Sequence, residues 1–149
     1  MKASSSAGIG VGDSKYSWGY DGDRVKLWHD DGSLPALSYG ATWRSGDIVG
    51  VLMDLDAKTI AFSLNGSFDL PMGVACRGLH ISGGLVPALS LTQGYGAATR
   101  PKLRLNFGAI PFRFPLPSPV EGAPCRPVFE YVHTHNQRRD RLGVAQLDH

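Results

Sequence analysis

Cysteine is scarce in this chain: only Cys76 and Cys125 occur among 149 residues, far apart and in unlike contexts. A disulfide scaffold carries more of them at closer spacing, so both read as free thiols of a reducing compartment. Long apolar runs are missing too. No stretch approaches the roughly 20 residues of a membrane span. The opening Met1-Lys2-Ala3-Ser4-Ser5-Ser6-Ala7-Gly8 lacks the apolar core of a signal peptide. Charge of one sign is not in excess: 15 Lys and Arg against 13 Asp and Glu leave a formal +2. The densest basic cluster, Arg138, Arg139 and Arg141, is broken by Asp140, whereas nucleic-acid binding asks for a concentrated basic stripe. The expectation is an intracellular, cytoplasmic chain with no nucleic-acid or membrane partner.

Turn formers are plentiful, with 19 Gly and 10 Pro between short apolar runs. That pattern points to an all-β architecture. Tyr16, Trp18 and Tyr20 alternate with small residues, which is a strand signal. Asp21-Gly22-Asp23 is turn chemistry, and Val25-Lys26-Leu27-Trp28-His29 reads as the return strand of a hairpin. Ile48 to Leu55 is apolar almost throughout, as a strand covered on both faces is. Thr59 to Leu64 alternates, with Ile60, Phe62 and Leu64 inward, and Asn65-Gly66 ends it with the strongest short turn signal there is. Leu85 to Leu91 reads as a further strand, with Pro87 suited to an edge. Leu103 to Gly108 alternates and closes the sheet. Pro111 to Pro127 is proline-punctuated and extended. Val128 to His149 offers little apolar face and reads as a tail or docking segment.

The order of these blocks is similar to that of a known family. Ser17-Trp18-Gly19-Tyr20-Asp21-Gly22, Trp28-His29 and Tyr39-Gly40-Ala41-Thr42-Trp43 come first. Ser45-Gly46-Asp47-Ile48-Val49-Gly50 follows and runs through Met53-Asp54-Leu55-Asp56 to Ile60-Ala61-Phe62-Ser63-Leu64-Asn65-Gly66. Val86-Pro87-Ala88-Leu89-Ser90-Leu91 and Leu105-Asn106-Phe107-Gly108 complete it. Together they resemble a SPRY domain over about residues 8–116, most specifically from Gly46 to Gly66. The flavour is that of SPRY domains in RING-type ubiquitin ligases and ryanodine-receptor channels.

The resemblance implies a bent antiparallel β-sandwich of two sheets that binds peptides or partner domains through loops at one edge and has no catalytic residues. The expected division is a flexible N-terminus at 1–8, the sandwich at 9–116, and a Pro-rich, charged tail at 117–149. Family members carry more strands ahead of the Gly8–Gly12 region. Here a Ser-rich stretch stands there instead, so the chain is expected to be a fragment, or to draw strands from its own tail or from a partner.

Other motifs favour bland readings. Gly8-Ile9-Gly10-Val11-Gly12 has neither dinucleotide-loop spacing nor a flanking strand and helix. Asp21 with Asp23, and Asp30 with Asp31, fall short of the roughly six oxygens a calcium loop supplies. His133-Thr134-His135 has no Cys or carboxylate at zinc-ligand spacing. Neither Cys76 nor Cys125 has a recognisable base partner, so the chain is expected to be no enzyme and to hold no cofactor or metal. Among the aromatics, Trp18, Tyr20, Trp28, Trp43, Phe62 and Phe107 read as mostly core, with Trp28 and Trp43 the better candidates for partial exposure.

The expected function is therefore protein–protein recognition, as a substrate-recognition part of a ubiquitin ligase. The alternative is a structural subunit or fragment packed within a large multi-subunit assembly. Three loops carry the expected site: Gly10–Lys15, Asp30–Leu34 and Gln93–Arg100. The residues singled out are Gly10, Val11, Asp13 and Lys15; Asp30 and Asp31; and Gln93, Tyr95 and Arg100. The first and third loops align with ligand-contacting loops of peptide-binding SPRY domains. Tyr95 offers a flat anchor, Arg100 a fork for a carboxylate or carbonyl, and Gln93 amide hydrogen bonds.

Overall fold

Among the described residues, eight strands form two antiparallel sheets. The computed structural model describes residues 10–30, 36–81, 84–91, 102–118 and 125–128, and the backbone of 142–148. The smaller sheet has the order β1-β2-β3, formed by Trp18–Asp21, Lys26–His29 and Leu37–Ser38. The larger has the order β6-β5-β4-β8-β7, with β4 at Ile48–Asp54, β5 at Thr59–Leu64, β6 at Gly73–Arg77, β7 at Arg104–Asn106 and β8 at Leu142–Asp148. The architecture is an all-β sandwich.

The hairpins follow from local chemistry. β1 and β2 register from Trp18↔His29 to Asp21↔Lys26. Their turn is organised by Asp21, whose Oδ1 accepts from the Asp23 and Arg24 amides at 3.0 Å each, an Asx turn. β4 and β5 register from Val49↔Leu64 to Asp54↔Thr59. Beyond β5, Asn65 and Gly66 both take positive φ, 50° and 84°, as a type I′ turn requires. Leu64 and Ser67 exchange both amide bonds at 3.0 Å. The Asn65 side chain then ties this turn to the start of β4: Ile48 N donates to Asn65 Oδ1 at 3.0 Å, and Asn65 Nδ2 donates to Asp47 Oδ1 at 2.8 Å.

The core lies between the sheets. Leu27 of the smaller sheet is buried with Val49, Ile60, Phe62, Met72 and Leu79. Phe62 is the pivot, with Tyr20 and Tyr39 at ring-centroid distances of 5.4 and 6.1 Å. Both tyrosine hydroxyls are anchored, Tyr39 donating to Gly73 O at 2.6 Å and Tyr20 donating to Ala41 O. Burial pushes the Tyr39 phenol up to about 12 and raises that of Tyr20 as well.

One reading of the sequence differs from the structure. Leu85 to Leu91 is not a strand: Gly84–Leu91 pairs with no named strand among the described residues, and Val86 is 85% exposed. Its alternation is apolar enough for a strand, but a strand also needs a neighbouring edge, and this segment finds none among the described residues. Residues 142–148, within the stretch read as a tail, form β8 between β4 and β7, so the larger sheet draws a strand from the tail, one of the sources the sequence allows. β6 was not anticipated, because its small residues give a weak β signal.

Candidate partner-binding site

The loop ahead of β1 is held by its own polar groups. Gly10 N donates to Asp13 Oδ2 at 2.6 Å, and Gly12 N donates to Ser17 Oγ at 2.7 Å. Ser17 N donates to Ser14 O at 3.0 Å. The loop sits directly on the smaller sheet. A Cβ on Gly19 would lie 2.5 Å from the Val11 carbonyl oxygen, and a Cβ on Gly12 would lie 2.5 Å from Trp28 Cβ. Only glycine permits such close backbone approach.

This arrangement joins parts of the expected site. Asp30, at the end of β2, donates its amide to Ser14 O at 3.3 Å, so the second loop begins beside the first. Val11 N donates to Ser90 Oγ at 2.8 Å. That bond ties the first loop to the segment leading toward Gln93. Gly10 and Val11 are half-buried, while Asp13 and Lys15 are exposed, with Lys15 Nζ 5.1 Å from the Tyr16 ring centroid. Asp31, Gln93, Tyr95 and Arg100 lie outside the described residues.

Beside the loop lies a cavity of about 610 Å³, bordered by Asp13, Asp21, Arg24, Trp28, Trp43 and Leu89. Trp28 and Trp43 are both half-buried. The Arg24 guanidinium lies 4.3 Å from the Trp28 ring centroid, a cation–π contact, and Arg24 Nε donates to Asp21 Oδ2 at 2.6 Å. Trp28 Nε1 is buried with no acceptor among the described residues. A second, more apolar cavity of about 310 Å³ is lined by Trp18, Met53, Leu85 and Phe107, and Val51 and Phe62 wall both.

Asp21 and Arg24 are site members that sequence reasoning missed. The Asp-Gly-Asp-Arg turn was legible, but its place at the cavity rim depends on the loop folding over Gly19. Partial burial raises the Asp21 carboxyl, but the Arg24 amide, side chain and charge and the Asp23 amide outweigh it, and the net shift is below the usual 3.8. A lowered carboxylate contributes stability above its ordinary pKa, and that contribution is lost as pH falls through the folded value. The melting-temperature gap between wild type and Asp21→Asn is therefore expected to hold at neutral pH and close below about pH 4, as thermal melts from pH 7 to 2.5 would show. An undiminished gap in acid would mean the carboxylate charge is not what the turn uses.

Burial pushes the Cys76 thiol up to about 11 and raises that of Cys125, where Asp54 adds to it. Both therefore stay protonated at neutral pH, and the thiolate is the nucleophilic form. No three His, Cys, Asp or Glu side chains gather as a metal site among the described residues. No helix there is long and apolar enough to cross a membrane.

Comparison with known proteins bears on what this loop-lined sandwich is: the SPRY domain family model matches residues 2–106. The chain belongs to the SPRY domain family. The SPRY sequence is 38% identical over 146 residues to the E3 ubiquitin-protein ligase RKP of Arabidopsis thaliana, covering 93% of this chain and 10% of that protein. It is 35% identical over 91 residues to SPRY domain-containing SOCS box protein 1 of Homo sapiens, covering 57% of this chain and 32% of that protein. The cattle and mouse forms match equally. This SPRY chain thus spans about a tenth to a third of the length of these relatives. SPRY domains are protein-interaction modules, and the SPRY fold here presents its loops on a rigid two-sheet frame.

Proposed function

We propose that this chain recognises a peptide or partner domain through the loop cluster around Gly10–Lys15 and the adjoining cavity, as the substrate-recognition part of a ubiquitin ligase. The observation that carries the reading is the convergence of three elements. The Gly10–Asp13 loop, the start of the Asp30 loop and the Ser90 segment are pinned together beside a cavity walled by Trp28 and Trp43. Stiff strands holding irregular loops is how recognition surfaces are built, and a groove with Trp and Arg at its wall supplies typical anchor chemistry. The ligase relative supports the wider role, since its name assigns ubiquitin-protein ligase activity to a protein that contains a matching segment.

The test is selection of displayed random peptides on the purified chain, followed by titration of the selected peptides against variants. Lys15→Ala and Tyr95→Ala are expected to weaken binding without lowering the melting temperature, Tyr95→Ala by about 1–2 kcal/mol, and Arg24→Ala is expected to weaken binding and also to lower the melting temperature, because it removes the ion pair with Asp21. Peptides that bind all three variants as tightly as wild type would place the site elsewhere. A second reading, packing within a larger assembly, draws on exposed apolar residues. Val86, Leu91 and Leu105 are 85, 50 and 47% exposed, and such residues suit burial against a neighbouring domain.

A further inference from the structure

β8 occupies a gap one strand wide. All seven residues of β4 register with it, from Ile48↔Asp148 to Asp54↔Leu142. On its other side β7 registers at three positions: Arg104↔Asp148, Leu105↔Leu147 and Asn106↔Gln146. β4 and β7 do not pair with each other, so β8 alone bridges two strand spacings, about 10 Å. Both neighbours are antiparallel to it, which sets the direction of any occupant. The register on β4 sets its length and phase.

The occupant comes from far along the chain. Residues 107–141 separate β7 from β8. Belonging to the same chain gives the strand an effective concentration on the order of a millimolar relative to a free copy. Cis filling is therefore favoured at ordinary concentrations by tethering. The backbone pairs themselves are the same for an identical strand from another molecule. Leaving the gap open would strip the pairing from one side of β4, whose Ile48 and Val49 are only 3% exposed, and would create the kind of edge that recruits strands.

We propose that the gap between β4 and β7 is an exchangeable strand-binding site, filled in cis by Leu142–Asp148 and in trans by the same segment of a second copy. The proposal is independent of the loop cluster. It concerns the larger sheet, and strand addition supplies its affinity through main-chain hydrogen bonds. Leu147 is the position to disturb. It pairs with both Val49 and Leu105, so its amide faces a partner strand whichever way it points. Proline removes that donor.

The experiment uses full-length Leu147→Pro chain and a fluorescent synthetic peptide of residues 141–149. The variant is expected to capture the peptide at concentrations at least about 100-fold lower than wild type requires, the advantage of removing a tethered competitor. Capture should raise its melting temperature. A peptide carrying the same Leu147→Pro change should not bind. Wild-type chain refolded at about 1 mM, near the tether's effective concentration, should yield a dimer by light scattering that reverts to monomer after dilution and refolding. A variant that remains unfolded with peptide, or folds and ignores it, overturns the proposal, as does wild type that refolds only as monomer.

Discussion

Truncating Phe62 to alanine should destabilise the protein by about 3–5 kcal/mol, the usual range for a buried Phe. Three features put the value toward the upper end. Phe62 is 7% exposed and sits among Leu27, Val49, Ile60, Met72 and Leu79. Its ring neighbours cannot move in to fill the void, because Tyr39 and Tyr20 are tied by their hydroxyls to Gly73 O and Ala41 O. The ring also walls both cavities, so its removal joins two spaces instead of opening a small closed one. Cost rises with the volume left unfilled. Against a typical domain stability of about 5–15 kcal/mol, such a loss lowers the urea midpoint severely. Urea unfolding of wild type and variant, with equal m-values required, is the measurement. A loss under about 1 kcal/mol would mean the sheets close over the gap, and Phe62 would then be filling space that other side chains can fill.

Gly12→Ala should disturb both stability and recognition. Gly12 has φ of 98°, and a Cβ there would lie 2.5 Å from Trp28 Cβ and 2.7 Å from the Trp28 carbonyl oxygen. The obstacle includes backbone of β2, which cannot swing aside as a side-chain end can. Overpacking typically costs about 1–3 kcal/mol, and left-handed backbone in an L-residue adds about 1–2 kcal/mol. Gly46→Ala separates the two contributions, since Gly46 has φ of 95° but nothing within 4 Å of its Cβ position. Gly46→Ala is expected to lower the urea midpoint modestly, and Gly12→Ala to lower it further. Gly12→Ala should also reduce affinity for selected peptides at least tenfold, because the loop must lift from Trp28. Equal effects from the two substitutions would show that the loop's seat on β2 is not what holds it.

These expectations differ in how far they were visible before the structure. The glycine-rich composition of the Gly8–Gly12 run suits a loop, yet the reason for Gly12 in particular is its contact with Trp28, sixteen positions away. Likewise Trp28 and Trp43 stood out as aromatics beside turns, while the cavity they share with Arg24 and Leu89 comes from the sheet and the Ser90 segment meeting. Asp31, Gln93, Tyr95 and Arg100 lie outside the described residues, and their part in the site rests on the proposed function.

The sequence alone determined the elements whose partners are close in the chain. The hairpin of β1 and β2 and that of β4 and β5 were legible because alternation and the turn chemistry of Asp21-Gly22-Asp23 and Asp56-Ala57-Lys58 act within a few residues. The order of the SPRY blocks was also legible, and with it the family and the all-β class. Tertiary structure decided which strands complete the larger sheet. Leu85–Leu91 has the better strand sequence but finds no edge among the described residues, whereas Leu142–Asp148 lies in a charged, apparently tail-like stretch and becomes an interior strand of the sheet. Strand formation away from hairpins depends on a free edge at the right place and register, and no local pattern records where that edge is.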